Sequence, residues 1–288
     1  MPLVSTKEML EDARRNGFAV PAFPAHHLDI IRSVVDAADD MRSPVILQTT
    51  PATLEKVGID YVTALVRTAA KRVSVPVALH LDHGNSYATV ARCLRMGYTS
   101  VMIDGSHLPY RENVALVRRV VEMAHAVGVP VESELGAIGA ANETPQAHSS
   151  YTDPIQAKEF VETTGTDFLA PAFGTAHGVY RRGVRLDLTR LKAISRQTGV
   201  PLVMHGASGV PMEDIRRSIQ SGIAKINFST ELKQSFSDSL RDYLTQHPEE
   251  NDPRKIFGAA RERLREVIRQ KISWMQPAAV KNKQDGPV

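Results

Sequence analysis

The sequence predicts an α/β chain folded as a (β/α)8 barrel with extra helices at its C-terminal end. Three observations carry that prediction. Eight short apolar, β-branched runs recur, at 19–23, 44–49, 76–81, 99–103, 130–135, 167–173, 201–205 and 223–228. The segments between them carry helical periodicity: Ile30, Ile31, Val34, Val35 and Ala38 after the first run, Val114, Val117, Val120 and Val121 after the fourth, Ile215 and Ile219 after the seventh. No GxGxxG turn follows the first run, which counts against a dinucleotide-binding open sheet. Strands alternating with amphipathic helices read as parallel βαβ units, and eight of them favour closure.

Taken in order, the strand ends become polar. The second run ends in Thr49-Thr50, the third in His80-Leu81-Asp82-His83 and the fourth in Asp104-Gly105-Ser106. The fifth carries Glu132 and Glu134, two apart and so on one face. The sixth gives way to Gly174-Thr175-Ala176-His177-Gly178, the seventh to His205-Gly206-Ala207-Ser208-Gly209 and the eighth to Asn227-Phe228-Ser229-Thr230. Between the fifth and sixth runs, 136–153 is small and polar without apolar period, and reads as a long mobile loop. Segment 230–273 is helical, broken near Pro248 and Pro253, and longer than one crossover needs. The expected organisation is one catalytic barrel over 1–276 and a disordered tail over 277–288.

A chain of 288 residues with 42% hydrophobic content can bury such a core. Formal net charge is only +3, and the basic residues form no long run. That balance suits a small anionic substrate and speaks against nucleic acid. The single cysteine, Cys93, lies on a helix face with Val90 and reads as a core thiol. One cysteine permits no intrachain disulfide and fits a cytoplasmic protein. No stretch approaches membrane-spanning length, so no membrane partner is expected.

Barrel enzymes build their sites at the C-terminal ends of the strands. Three histidines fall there, each followed by or close to glycine: His83 in VALHLDHG, His177 in LAPAFGTAHG and His205 in PLVMHGASG. Converging, they would form an open three-histidine metal site, with Asp82 alongside. His80, inside its strand, reads as a core or supporting residue. His26, His27, His107, His125, His148 and His247 lack the pattern and read as surface or structural. Glu132 and Glu134 are open to two readings: structural carboxylates satisfied by amides or a lysine, or, for Glu134 with Asp104, a second metal position. The small residues of GASG (206–209) and NFST (227–230) follow the last two strands, where barrels commonly hold phosphate.

The motifs HLDHG (80–84), VMIDGSHLPYREN (101–113), ESELG (132–136), GTAHG (174–178), HGASG (205–209), KINFSTELK (225–233) and NDPR (251–254) resemble those of the class II, metal-dependent fructose-bisphosphate and tagatose-bisphosphate aldolases. The likeness runs in unbroken order from about Gly17 to Lys271, and STELK leans toward the tagatose-bisphosphate branch. The resemblance implies reversible aldol cleavage of a ketose (bis)phosphate to dihydroxyacetone phosphate and an aldehyde, through an enediolate stabilised by Zn²⁺. It places zinc on His83, His177 and His205 and makes Asp82 the acid/base at the aldehyde oxygen. Asp104 and Glu134 match a second divalent position. Gly178, Gly206, Ala207 and Ser208 match a phosphate and monovalent-cation (Na⁺ or K⁺) shell. Asn227, Ser229 and Thr230 match the dihydroxyacetone-phosphate cradle, and Thr50 a hydroxyl for the far phosphate. Arg254 matches an arginine that reaches a neighbouring subunit's site, which implies a homodimer or homotetramer. Lys225 would suit a Schiff base, yet that chemistry gives three histidines no role, so it reads as structural.

Three departures bear on the aldehyde half. Pro24 stands where the family commonly has asparagine, Ser229 where alanine or aspartate is usual, and the loop reads Gly139-Ala140-Ala141-Asn142-Glu143 in place of Gly-Gly-x-Glu-Asp. Glu143 is the carboxylate left for the enolising base. They keep open two alternatives: the same chemistry on another aldehyde, such as a sugar-acid phosphate, or a non-catalytic phosphosugar-binding protein.

Overall fold

A computed structural model describes residues 3–139, 151–178, 180 and 183–276. Eight parallel strands close into a barrel in sequence order: β1 (Val20–Pro24), β2 (Val45–Thr49), β3 (Val77–Gly84), β4 (Ser100–Ile103), β5 (Val131–Leu135), β6 (Phe168–Pro171), β7 (Leu202–Met204) and β8 (Ile223–Asn227). Closure is made by β1 against β8, with Val20 opposite Lys225 and Ala22 opposite Asn227. The strands are runs of buried residues, broken only by the half-buried His83 near the end of β3. That double burial is why the runs read as continuous apolar stretches and not as alternating ones.

Helices α2 (Leu28–Asp40), α4 (Ile59–Ala70), α5 (Tyr87–Arg95), α6 (Tyr110–His125), α7 (Pro154–Thr164), α8 (Leu188–Thr198) and α9 (Met212–Gln220) pack outside the barrel. Val117, Val120, Val121 and Ala124 put one face of α6 into the core. Fully buried side chains of this size contribute ~1.5–3 kcal/mol each. Cys93 is buried on α5, and burial pushes its thiol up to about 12, so it is inert packing.

Three features depart from the plain repeat. Helix α1 (Thr6–Asn16) puts Met9, Leu10 and Ala13 into one cluster with the strand residues Val20, Ala22, Ile46, Ala78 and Phe168. A short turn, α3 (Pro51–Thr53), runs through a π-helical turn at Leu54–Gly58 into α4. The expected C-terminal helical region is two helices, α10 (Thr230–Gln246) and α11 (Pro253–Met275), with α11 starting at a proline that Asp252 caps. Strand ends shift by a few residues. Past the end of β6 the Ala172 N–H is shared between the Leu135 carbonyl at 3.3 Å and Thr152 Oγ1 at 2.8 Å. β3 runs further than expected, to Gly84, through an irregular register that builds the site. The proposed tail, 277–288, lies outside the described residues. Among the described residues no helix is long and apolar enough to cross a membrane.

Candidate active site

Neighbouring residues on a strand face opposite ways, so Asp82 and His83 could not both serve one site on a regular β3. The register against β4 slips between Leu81 and Gly84, and His83 takes φ 49°. Its N–H meets Met102 Sδ at 3.3 Å. A non-glycine residue in this conformation costs on the order of 1–3 kcal/mol. Here that strain accompanies a bulge that leaves Asp82 buried in the barrel and His83 at the mouth.

The other two histidines meet through loops that touch. A Cβ on Gly206 (φ 66°) would lie 2.3 Å from the Ala176 carbonyl oxygen, so only glycine lets the loop after β7 rest on the loop after β6. Tyr180 fixes the pair: its hydroxyl accepts from the Ala176 N–H and donates to the Gly206 carbonyl, both at 2.8 Å. The three imidazoles then converge, with ring centroids 4.7 Å (His83–His205), 5.1 Å (His83–His177) and 5.9 Å (His177–His205) apart. One nitrogen from each lies within 4.8 Å of the others.

The donor set fits a zinc ion. His205 is fully buried, and among the described residues its Nδ1 makes no aligned hydrogen bond. Glu134 Oε2 faces it at 3.3 Å as an ion pair and is likewise buried without an aligned hydrogen bond. Burial works to lower His205, but Glu132 and Glu134 outweigh it and raise it to about 10, so a cation at Nδ1 would take the place of a proton between the same two groups. Burial first, then the neighbouring histidines, lowers His177 to about 4, so its ring is neutral and ready to coordinate. His83 Nδ1 donates to Asp104 Oδ2 at 2.8 Å. Asp104 Oδ1 in turn accepts from the Ser106 backbone and hydroxyl at 3.1 and 2.8 Å. Against the opposing effect of burial, these bonds hold Asp104 well below the ordinary carboxylate range. Ligand atoms of His83, Asp104 and Glu134 also gather within 4.8 Å, the second cluster expected from the sequence.

Below the mouth lies a closed polar group. Glu132 Oε1 meets His205 Nε2 at 2.9 Å, and Glu132 Oε2 accepts from Lys225 Nζ at 2.7 Å. Lys225 Nζ also reaches His80 Nε2 at 3.2 Å, and His80 Nδ1 meets Ser100 Oγ at 2.8 Å. Burial is the strongest influence on both ionisable partners. It opposes the Lys225 and histidine charges that keep Glu132 ionised, and it lowers His80 to about 3. His80, Asp82 and Glu132 also lie close enough to hold a metal, but the Lys225 ammonium already bonds two of them. Of the two sequence readings for Glu132, the lysine partner is the one realised.

Asp82 sits between these layers. Its Oδ1 accepts from Asn227 Nδ2 at 3.0 Å and its Oδ2 from Gln48 Nε2 at 3.1 Å. Burial works to raise its pKa, and the charges of His83, His205 and Lys225 outweigh it, leaving Asp82 ionised. Toward the last two strands, Ala207 and Ser208 are buried, and Ser208 Oγ accepts from the Glu231 N–H at 3.3 Å. Ser229 and Thr230 begin α10 half-buried; Ser229 does not cap the helix with its own side chain, and it is Ser208, from the loop after β7, that takes a first-turn N–H. Gly178 (φ 108°) follows His177 directly.

The remaining expected residues stand further out. Thr50 is half-buried at the start of α3 and caps it, accepting from the Thr53 N–H at 3.4 Å. The Arg254 side chain is 90% exposed and pairs with Asp252 at 2.7 Å, outside its own chain's histidine cluster. Glu143 lies outside the described residues. Pro24 ends β1, where the bond to the Gln48 carbonyl comes from the next residue, Ala25, so the missing N–H costs that ladder nothing. His27 caps α2 and packs between Phe236 and Phe257, and His125 binds Asp167 at 2.7 Å, both structural as expected. Sequence reasoning missed Gln48 and Tyr180. A glutamine inside an apolar run was the available signal for the first; Tyr180 offered none.

Known proteins agree with this geometry. The family model for class II fructose-bisphosphate aldolase matches residues 4–279. The crystal structure of the YdjI aldolase from Escherichia coli K12 is 32% identical over 95% of this chain and 97% of its own, with a TM-score of 0.85. Fructose-bisphosphate aldolase (Fba) from Campylobacter jejuni, 24% identical over 95% of each chain with a TM-score of 0.81, shares the fold. The histidine-lined barrel is thus that of an aldolase, a carbon–carbon lyase, and the chain belongs to the class II fructose-bisphosphate aldolase family.

Proposed function

We propose that the protein reversibly cleaves a ketose phosphate or bisphosphate, of the fructose- or tagatose-1,6-bisphosphate type, into dihydroxyacetone phosphate and an aldehyde. The observation that carries this reading is the convergence of three imidazoles, one nitrogen of each within 4.8 Å of the others, with the buried Nδ1 of His205 and Glu134 Oε2 facing one another at its edge. His83, His177 and His205 are the residues that would hold zinc, a metal typical of this family. Bound there, zinc would act as a Lewis acid and supply the electron sink that a lysine Schiff base provides in other aldolases. Asp104 orients His83, and Glu132 orients His205, through the second nitrogen of each ring. Asp104 and Glu134 remain candidates for a second divalent ion.

Asp82 moves the proton at the hydroxyl that becomes the aldehyde oxygen. Its two hydrogen bonds from Gln48 and Asn227 aim the carboxylate and keep it from rotating. Gly178, Gly206, Ala207, Ser208, Ser229 and Thr230 receive the phosphate of the dihydroxyacetone half, with a Na⁺ or K⁺ ion in the same shell. Glu143 is the enolising base, and Thr50 and a partner's Arg254 bind a phosphate at the other end. The same reading makes the protein a cytoplasmic homodimer or homotetramer.

The test is an aldol screen. Zinc-loaded protein is offered dihydroxyacetone phosphate and a panel of phosphorylated, plain and acidic aldehydes, with products identified by NMR. Carbon–carbon bond formation with dihydroxyacetone phosphate is the expected result. No product with any aldehyde, and no exchange of the dihydroxyacetone-phosphate proton with solvent, would overturn the proposal.

A further inference from the structure

Lys225 is a buried ionisable group that the proposed reaction leaves unused. It lies on β8, 1% exposed, and its ammonium donates to Glu132 Oε2 at 2.7 Å and to His80 Nε2 at 3.2 Å. Glu132 is fully buried and spends its other oxygen on His205 Nε2 at 2.9 Å. A carboxylate only accepts, so Nε2 carries a hydrogen and is committed to Glu132. Nδ1, 3.3 Å from Glu134 Oε2, is the nitrogen left to face the cluster of His83 and His177. We propose that Lys225 is a positioning residue for the metal centre: by pinning Glu132 it fixes the tautomer and aim of His205, without touching the metal.

The geometry supports a pin and not a spare charge. A carboxylate held by one hydrogen bond can turn about its terminal torsion, which is broad. Held at both oxygens by groups on β7 and β8, Glu132 has one orientation. Lys225 is itself anchored by His80, whose other nitrogen bonds Ser100 Oγ at 2.8 Å, and Thr6 Oγ1 donates to the same Ser100 oxygen at 2.8 Å. The support for one ligand thus runs from the mouth through the barrel to α1. Outer partners of metal-bound histidines typically change metal affinity ~10–100-fold when removed. Lys225 stands one bond further back, behind such a partner.

The inference rests on the zinc reading, and one experiment separates the two. Zinc affinity of the full chain is measured by competition with a chromophoric chelator. The variants are Lys225→Met, which keeps length and loses charge, Lys225→Arg, Glu132→Gln and, as control, His177→Ala. In parallel, long-range proton–nitrogen correlation on the zinc-loaded protein reads the His205 Nε2–H. Lys225→Met should bind zinc ~10-fold or more weakly, at the low end of the range for such partners, and lose or broaden that resonance. Lys225→Arg should fall between it and wild type. If Lys225→Met does not fold, the Arg and Gln variants decide: wild-type affinity and an unchanged resonance in both would overturn the proposal. The same result in a folded Lys225→Met would overturn it directly. Wild type and His177→Ala taking up equally little zinc would instead defeat the zinc reading.

Discussion

The barrel interior holds two polar layers that differ by two residues on each of three strands. His80, Glu132 and Lys225 form the lower one; Asp82, Glu134 and Asn227 stand directly above on β3, β5 and β8. The lower layer pairs a carboxylate with an ammonium, and all three of its side chains make hydrogen bonds. The upper layer holds two carboxylates and no ammonium, and among the described residues Glu134 Oε2, Asn227 Oδ1, Gln48 Oε1 and the adjoining His205 Nδ1 make no aligned hydrogen bond. Both layers are buried, so burial does not distinguish scaffold from site. Closure does: the lower groups satisfy one another, and the upper ones keep the bonding capacity that the proposed cation and substrate would use.

Removing the metal gives the largest effect and can break that contrast outright. Chelation should abolish turnover and zinc should restore it, because the upper layer then has no cation. Borohydride reduction in the presence of substrate should leave Lys225 unmodified. A reduced covalent adduct on Lys225, found by peptide mass spectrometry, would make the lower layer the catalytic one and invert the comparison.

Within the upper layer, Asp82→Asn should separate chemistry from metal binding. The amide keeps the shape, accepts from one of Gln48 and Asn227 and donates to the other once that side chain turns its oxygen inward, and none of the three histidines is altered, so zinc should stay stoichiometric. Turnover should fall by roughly 10²–10⁴, the range for a general acid/base. Loss of zinc together with turnover would show that Asp82 belongs to the metal's support.

The two layers were unequally legible in the sequence. The strands could be found because runs such as PVILQT and PVALHL are buried on both faces, and the eight windows fall on the eight strands. The histidines and Asp82 could be found because they sit where apolar runs end. Glu132 was visible as a buried carboxylate, but its partners come from β7 and β8, and sequence spacing does not say which strands a barrel brings together. Tyr180 acts through two backbone groups on different loops, a contact with no local pattern. The bulge at His83 was equally hidden, since a positive φ at a histidine leaves no mark in the residue order.

A smaller effect sharpens the description of the lower layer. His80 is lowered from 6.5 to about 3, chiefly by burial. Below pH 6.5 the unfolded chain binds a proton that the folded one refuses. Stability therefore falls as pH drops through that window, by up to ~1.4 kcal/mol per pH unit. His80→Gln, compared with wild type by urea unfolding of the metal-free protein between pH 7 and 5, should show a shallower loss. Equal slopes would mean that His80 is protonated in the fold and that the lower layer is not closed as drawn.

The smallest effect is expected at the rim, where neither layer reaches. Arg254 is 90% exposed and held by Asp252 at the start of α11, so solvent screens its ion pair, which contributes little to stability. Arg254→Ala should leave the melting temperature almost unchanged. A guanidinium that binds phosphate with two parallel bonds would instead show in substrate use. If Arg254 completes a partner's site, its removal should raise KM for a doubly phosphorylated ketose and leave a ketose phosphorylated only on the dihydroxyacetone half unaffected. Mixing Arg254→Ala with Asp82→Asn chains should then create hybrid sites with both residues intact, and activity should return. If the mixed chains demonstrably exchange and activity stays absent, the site is complete within one chain. Arg254 is then a surface residue whose role ends at Asp252.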